Sequence, residues 1–335
     1  MTDRRSDANG TLNVLITSAS RKVSLVRAFQ EALRAAGGGV VIAADVSPLA
    51  PALYVADEHG LVPRSDSPAF VPALRRLCGQ RHVRLVVPTR DEELPVFAQA
   101  KDEFAQVGVT VMVPDPATVR TCQDKKQFLR FCAEHGFGTP RSYDTARAAA
   151  AGGFPVFVKP RRGKGGRGAV RVESPEELER TLRQMPDAII QELVTAPEYT
   201  VDLFADFAGR VISVVPRERV LTFGGESFVT RTCKAPALTE TSVRLSEELG
   251  LIGHNTIQCF LCGDEVKFIE VNPRFGGAAR LGFEAGAPTP LFLVRLLKGE
   301  TLEPQVGRFK DNRVMLRYTD DLFLDAAELT DRRFA

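Results

Sequence analysis

The chain has 335 residues, 44% of them hydrophobic and 26% charged, and its 44 basic and 42 acidic residues leave a net charge of +2. That length allows a sizeable core and two or three domains of roughly 100–200 residues. The near-neutral balance gives no broad electrostatic case for nucleic acid or an anionic membrane, and no apolar run approaches the ~20 residues that span a bilayer. The start, "MTDRRSDANG", lacks the apolar core of a signal peptide, so a cytoplasmic location is expected. Cys78, Cys122, Cys132, Cys233, Cys259 and Cys262 fit reduced thiols. Cys259 and Cys262 form a lone C-x-x-C, and a zinc site needs two further ligands, so they read as core cysteines.

The first third alternates strand and helix. "LNVLIT" (Leu12–Thr17) is a short apolar strand, and Val23, Val26, Phe29 and Leu33 then fall at helical spacing before a glycine stop. "VVIAAD" (Val40–Asp45), "RLVVPT" (Arg84–Thr89) and "VTVMVP" (Val109–Pro114) are further strands, with helical stretches between. This predicts a parallel, doubly wound sheet. The loop after the first strand is "TSASRK", without the G-x-G-x-x-G that lets a backbone approach a pyrophosphate, which argues against a nicotinamide-dependent oxidoreductase. "TSASRK" (Thr17–Lys22) and "PTRDEEL" (Pro88–Leu94) sit at strand ends, as caps and solvated charges or as ligand loops.

From Pro114 to Pro140 the pattern is two short helices and a Gly/Pro turn. "FPVFVKPRRGKGGRGAVRV" (Phe154–Val172) is strand, glycine-rich loop, strand, and Ser174–Met185 opens as a helix with a serine cap and early acids. "AIIQEL" and the run from Tyr199 to Val220 are strands of an antiparallel sheet turning near Gly209; "TETSVRLSEELGL" is a helix. "NTIQCFLCGDEVKFIEVNPR" is a hairpin turning at Gly263–Asp264, and "TPLFLVRLLKGE" is a closing helix. The tail from Val314 adds a strand and a helix, or a partner surface.

Several groups carry chemistry. Lys159 ends an apolar strand before a loop with Gly163, Gly165, Gly166 and Gly168, where backbone N–H groups can wrap phosphate oxygens. Arg161, Arg162, Lys164 and Arg167 add positive charge, and taken alone such a hairpin is more often a solvated turn. Glu198 follows a bend after "IIQEL" and suits a ribose diol, while taken alone a carboxylate in a strand turn is usually just exposed. Gln258 lies in one strand of the hairpin and Glu270 and Asn272 in the other, an oxygen set suited to Mg²⁺, with Arg274 offering a planar donor fork to a phosphate.

Taken together, "DKK" (Asp124–Lys126), "VKPRRGKGGRG", "QELVTAPEYTVD", "NTIQCF" and "FIEVNPRFGGAARLGFEAGAPTP" resemble the ATP-grasp superfamily. Within it, the chain is most similar to the ATP-binding half of the carbamoyl-phosphate synthase large subunit and its short single-unit ligase relatives. "NVLITSASRKVSLVRAFQEA" and "AADVSPLAPALYVADE" resemble their pre-ATP-grasp domain. The likeness implies an α/β and α+β protein: a Rossmann-like pre-ATP-grasp domain over 1–115, a small lid subdomain over 116–190 and a large subdomain with a C-terminal extension over 191–335. It implies ATP and Mg²⁺ (or Mn²⁺). Lys125 and Lys159 contact the nucleotide, Lys159 near the α-phosphate, and Gly163–Gly168 forms the lid. Glu192, Leu193 and Val194 meet adenine, and Glu198 binds ribose. Gln258, Glu270 and Asn272 hold the metal, and Arg274 faces the transferring phosphate. Gln258 stands where many ATP-grasp ligases have an acid, and "FGGAARL" has fewer glycines or serines than relatives often show.

The activity implied is ATP-dependent joining of a carboxylate to an amine, both small molecules. The acceptor site is expected among "TSASRK", "PTRDEEL" and the strands carrying "PRERV" and "GGESFVTRT". There Arg217, Arg219 and Arg231 would bind a carboxylate or stabilise the tetrahedral intermediate, and Asp91 or Glu92 an ammonium. The alternatives are carbamoyl-phosphate-type phosphorylation of bicarbonate or carbamate, and an ATP-binding protein without catalysis. No nucleic acid or membrane partner is expected, and a homodimer is among the allowed assemblies.

Overall fold

The computed structural model describes residues 11–163 and 165–329. They fall into two compact units: one drawn from residues 11–113, 288–302 and 321–329, the other from the described residues of 114–287 and 303–320.

The first unit is built on β1 (Asn13–Thr17), β2 (Val41–Asp45), β3 (Glu58–Leu61), β4 (Val83–Val87) and β5 (Thr110–Val111). All pair in parallel, in the order β3-β2-β1-β4-β5. β2 is buried along its whole length, as continuous apolar runs in a doubly covered sheet should be. The covering helices are α1 (Val23–Ala35), α2 (Pro51–Val55), α3 (Phe70–Gln80), α4 (Leu94–Gln99) and α5 (Lys101–Ala105), and the helix Thr289–Leu297 packs on α1. α1 buries Val26, Phe29 and Leu33, so the helical spacing in the sequence marks its core face. β3, "EHGL", has no apolar alternation and is an edge strand that sequence pattern does not announce. Strand order reverses between β1 and β4, which places Thr17–Lys22 and Pro88–Leu94 at the switch point of the sheet.

The second unit opens with α6 (Pro116–Gln123) and α7 (Lys125–Glu134). Asp124 caps α7, its carboxylate accepting from the Lys126 and Gln127 N–H groups. A four-stranded sheet follows, ordered β6-β9-β7-β8, from β6 (Ser142–Tyr143), β7 (Val156–Pro160), β8 (Val170–Val172) and β9 (Ala188–Glu192). It is backed by α8 (Ala146–Gly152) and by α9 (Pro175–Gln184), which Ser174 caps. The segment Leu193–Pro197 leads into a larger antiparallel sheet of β10 (Glu198–Ala205), β11 (Val211–Phe223), β12 (Glu226–Thr232), β13 (Gly253–Cys262), β14 (Glu265–Asn272) and β15 (Val314–Leu316). Its order is β14-β13-β10-β11-β12-β15. α10 (Pro236–Leu249) covers the face carrying Val201, Leu203, Ile257, Cys259 and Phe268, and α11 (Arg280–Glu284) follows the hairpin.

Among the described residues the tail supplies the expected strand, β15, on β12, and, where a helix was expected, one 3-10 turn, Ala326–Glu328. Cys259 is buried in the core face of β13, and Cys262, an odd number of residues on, points to the other face. The C-x-x-C therefore does not converge, and among the described residues no group of three His, Cys, Asp or Glu side chains is placed to hold a metal.

Candidate active site

The face of the larger sheet opposite α10 is polar. Cross-strand register lines up Thr200, Gln258 and Glu270, and beside them Thr256 and Asn272. A β-bulge decides this arrangement. Gln258 pairs with Glu270 but Cys259 pairs with Phe268, so Ile269 is an extra residue. Phe268 thereby points into the core while Glu270, two residues on, points to the polar face. Strict alternation would put both on one side. The bulge also brings Lys267, paired with Phe260, to the same face as Glu270.

Glu270 is the centre of the cluster. Its Oε1 accepts from Gln258 Nε2 at 3.1 Å and from Asn272 Nδ2 at 3.1 Å. Lys125 Nζ, from the first residue of α7, lies 3.7 Å from Oε2 and donates to the Gly163 carbonyl at 2.9 Å. Lys159, 7% exposed at the end of β7, feels Glu270, Lys125 and Glu198. Burial is the largest influence on its ammonium and lowers its pKa to about 8, against the pull of the two carboxylates. Glu198 is pushed above the usual range by burial, although Arg219 Nε stands 3.0 Å from its Oε1.

One carboxylate flanked by two amides is a hard-oxygen donor set. A half-turn of either amide presents its oxygen in place of nitrogen. The set fits a Mg²⁺ that keeps waters and substrate phosphates in its remaining positions. Arg274 leaves β14 just beyond, its Nη2 donating to Asn272 Oδ1 at 3.3 Å and Nη1 to the Phe275 carbonyl at 3.2 Å.

At the other end, Glu192 closes β9. Its Oε1 accepts from Lys267 Nζ at 2.7 Å and from the Arg141 N–H at 3.0 Å. Burial pushes this carboxyl up, but those two donors outweigh it and hold the group below its usual range. Leu193 and Val194 follow, half-buried.

Gly163, Gly165, Gly166 and Gly168 all have positive φ, in the loop joining β7 and β8. At the base of that loop Arg161 clamps Asp124 with two bonds, 2.7 Å to Oδ1 and 2.6 Å to Oδ2, and Arg162 lies 3.5 Å from the same carboxylate. Arg161 thereby anchors the loop to α7. Lys164 lies outside the described residues.

Two of the three arginines meet other partners. Arg231 pairs with Glu218 at 2.6 Å on the opposite face of the sheet, because Glu218 and Arg231 are register partners. Arg217 does face the polar side but is buried against Asp202, with Nε 2.8 Å from Oδ2. Of the three, Arg219 alone joins the cluster; it also donates to Thr200 Oγ1 at 3.4 Å and to the Gly225 carbonyl at 3.0 Å.

In the first unit, the buried carboxylate of the "PTRDEEL" loop is Glu93 rather than Asp91 or Glu92. Thr17 donates to it at 3.0 Å, Ser18 donates through its hydroxyl, and burial raises its pKa. Ser18 and Ser20 take left-handed conformations, φ 45° and 46°, with Ser18 held by Glu93 and the Ser20 N–H donating to Asp45 Oδ2 at 2.9 Å. Asp124, Phe260 and Lys267 shape this site without a role assigned to them in the sequence reading. A carboxylate just before the Lys125 pair was the one visible signal.

Residues 184–319 match the family model described as ATP-grasp in the biosynthetic pathway with Ter operon. The chain carries an ATP-grasp domain. Residues 14–112 match the PylC-like N-terminal domain. The chain is 26% identical over 230 residues to the carbamoyl phosphate synthase large chain of Thermotoga neapolitana, covering 62% of this chain and 21% of that protein. It is 29% identical over 257 residues to the formate-dependent phosphoribosylglycinamide formyltransferase of Parasynechococcus marenigrum, covering 70% of this chain and 64% of that one. The chain thus spans about a fifth of the length of the first relative and under two thirds of the second. Its fold is shared with the biotin carboxylase of Campylobacter jejuni, solved as a β-γ-ATP complex, with a TM-score of 0.73 at 17% identity over 92% of this chain and 75% of that one. No helix of the described residues is long and apolar enough to cross a membrane.

Proposed function

We propose that the protein is an ATP-dependent carboxylate–amine ligase that works through an acyl phosphate, on a small, amino-acid-like substrate. The observation that carries this reading is the convergence of Lys125, Lys159, Gln258, Glu270 and Asn272 on one face, against a glycine-rich loop. Lys125 and Lys159 neutralise phosphate oxygens, Lys159 near the α-phosphate. Gly163–Gly168 covers the β- and γ-phosphates and excludes water, which an acyl phosphate requires. Glu192 and the backbone of Leu193 and Val194 meet adenine, and Glu198, fixed by Arg219, binds ribose. Gln258, Glu270 and Asn272 hold Mg²⁺ (or Mn²⁺). When bound, that ion neutralises charge on the phosphates and aligns them.

The substrate carboxylate is already a nucleophile, so the first step needs no general base. It attacks the γ-phosphorus, the bond to the β-phosphate oxygen breaks, and ADP leaves. Arg274 steadies the charge on the transferring group. The amine then attacks the acyl carbon, phosphate departs, and the nitrogen loses a proton. A homodimer is compatible with this reading, as are domain limits of 1–115, 116–190 and 191–335.

A second reading is phosphorylation of bicarbonate or carbamate. It is favoured by Gln258 at the first ligand position and by the likeness to carbamoyl phosphate synthase. ADP release in the presence of hydroxylamine, across a panel of acids and amino acids, separates the two. A trapped hydroxamate from an organic acid supports the ligase. ADP release with bicarbonate alone supports the second reading. Nucleotide-induced stabilisation with no ADP release under any condition overturns both.

A further inference from the structure

We propose that Lys267 is a specificity-determining residue that makes the site select adenine over guanine nucleotides, by fixing one oxygen of Glu192 so that the other faces the base as a pure acceptor. The inference rests on the ATP-site reading above. It starts from an asymmetry in Glu192. Oε1 accepts two bonds, from Lys267 Nζ at 2.7 Å and from the Arg141 N–H at 3.0 Å. Oε2 accepts none from the described residues. With Oε1 held by donors from two different elements, the carboxylate cannot turn about its terminal torsion, and the direction of Oε2 is set.

The Arg141 N–H alone does not achieve this. It comes from the residue just before β6, the strand paired with β9, and the Glu192 N–H donates back to the Arg141 carbonyl at 2.9 Å, so it moves with β9. Lys267 comes from β14, the strand that carries Glu270 and Asn272. The extra residue at Ile269 is what allows one strand to send Lys267 and Glu270 to the same face. One strand thereby reaches the base end and the phosphate end of the same site, and Phe260, the cross-strand partner of Lys267, lies between Lys267 and Glu198 on that face.

The chemistry of selection follows. An ionised carboxylate only accepts. The exocyclic amine of adenine donates to Oε2. Guanine carries a carbonyl oxygen at that position, so two acceptors would face each other. A site built around a fixed polar partner rejects the mismatched analogue strongly, because its buried groups are left unpaired. Without Lys267 the carboxylate swings, and both nucleotides meet a less ordered hinge.

The test is calorimetric binding of ADP and GDP to the full chain, in the wild type, Lys267→Met and Lys267→Arg. The wild type is expected to prefer ADP by about 100-fold or more. Lys267→Met should shrink that preference by roughly tenfold, and Lys267→Arg should retain it. An ADP-to-GDP ratio in Lys267→Met equal to that of the wild type overturns the proposal. A merely structural loss lowers stability and both affinities together without moving the ratio. Should Lys267→Met not fold, Glu192→Gln serves: its amide can offer a donor to guanine, so the ratio must fall, and an unchanged ratio sinks the idea. A wild type that binds no ADP removes the ATP-site reading itself, whereas ADP binding with an unmoved ratio removes the role of Lys267 alone.

Discussion

Gly225, at the tip of the β11–β12 hairpin, meets Gly165 of the glycine-rich loop so closely that a Cβ on Gly225 would lie 2.6 Å from the Gly165 Cα. Arg219 reaches the same tip through the Gly225 carbonyl and holds Glu198 with its Nε. The loop is thus seated on a hairpin that is tied to the polar face below.

Alanine at Gly225 should unseat the loop. Gly224 is the matched control, since it too has positive φ, 57°, but a Cβ there meets nothing within 4 Å. Each alanine costs about 1 kcal/mol in a left-handed position. Only Gly225→Ala should also weaken ADP binding, by roughly tenfold, which is about 1.4 kcal/mol. Limited trypsinolysis with nucleotide present gives a second view. The bonds after Arg162 and Arg167 should be cut faster in Gly225→Ala than in Gly224→Ala. Equal cutting in the two variants would mean that the hairpin is no seat.

Glu270→Ala removes the carboxylate on which both amides and Lys125 converge. ADP formation should fall by roughly 10²–10³-fold or more, as when preorganised charge is lost from a transition state. Glu270 is half-buried on the polar face, away from the core cluster, so the thermal midpoint should move little. Retained turnover would remove it as a metal ligand.

Lys159 predicts a pH dependence. Its folded-state value is about 8, below the unfolded 10.5, because burial disfavours the charged form. Between those values the unfolded state binds more protons, so unliganded stability should rise as pH increases through this window. The charged ammonium is the form that meets phosphate. Nucleotide affinity should therefore be full below about pH 8 and weaken above it. Calorimetry in buffers of different ionisation enthalpy should register proton uptake on ADP binding near pH 8.5, roughly half a unit above that value. Lys159→Met should abolish the uptake while stabilising the unliganded protein by on the order of 1–3 kcal/mol. Uptake equal in variant and wild type would contradict the assignment.

Asp202 and Arg217 form an ion pair with side chains 3% and 2% exposed. Burial pushes the Asp202 carboxyl up, but Arg217 and then His254 outweigh it and bring it to about 2. Its stabilisation is present above the unfolded value of 3.8 and is lost as pH falls through about 2. Asp202→Ala leaves a buried guanidinium unpaired and should cost about 3–5 kcal/mol in urea unfolding at neutral pH. Asp202→Ala with Arg217→Met should recover part of that loss. A single-variant loss below ~1 kcal/mol would show that water reaches Arg217.

Much of this protein is legible along the chain because its signals are local. Apolar runs mark β1, β2 and β4, helical spacing marks α1, and glycines flank the loop after Lys159. The order Lys125, Lys159, Glu198, Gln258, Glu270, Asn272 is a linear pattern, and one chain carries it whole. What the chain alone did not determine are relations across strands. Arg217, Arg219 and Arg231 look alike in sequence. Register sends Arg231 to the far face, Asp202 consumes Arg217, and Arg219 remains in the cluster. Alternation predicts that Phe268 and Glu270 share a face, and one extra residue at Ile269 separates them and turns Lys267 toward Glu192. Facing depends on hydrogen-bond register with a partner strand, and partners are chosen by the packing of the whole sheet. The residue types and their order are therefore written in the sequence, while which of them meet was decided only when the sheet closed its ladders.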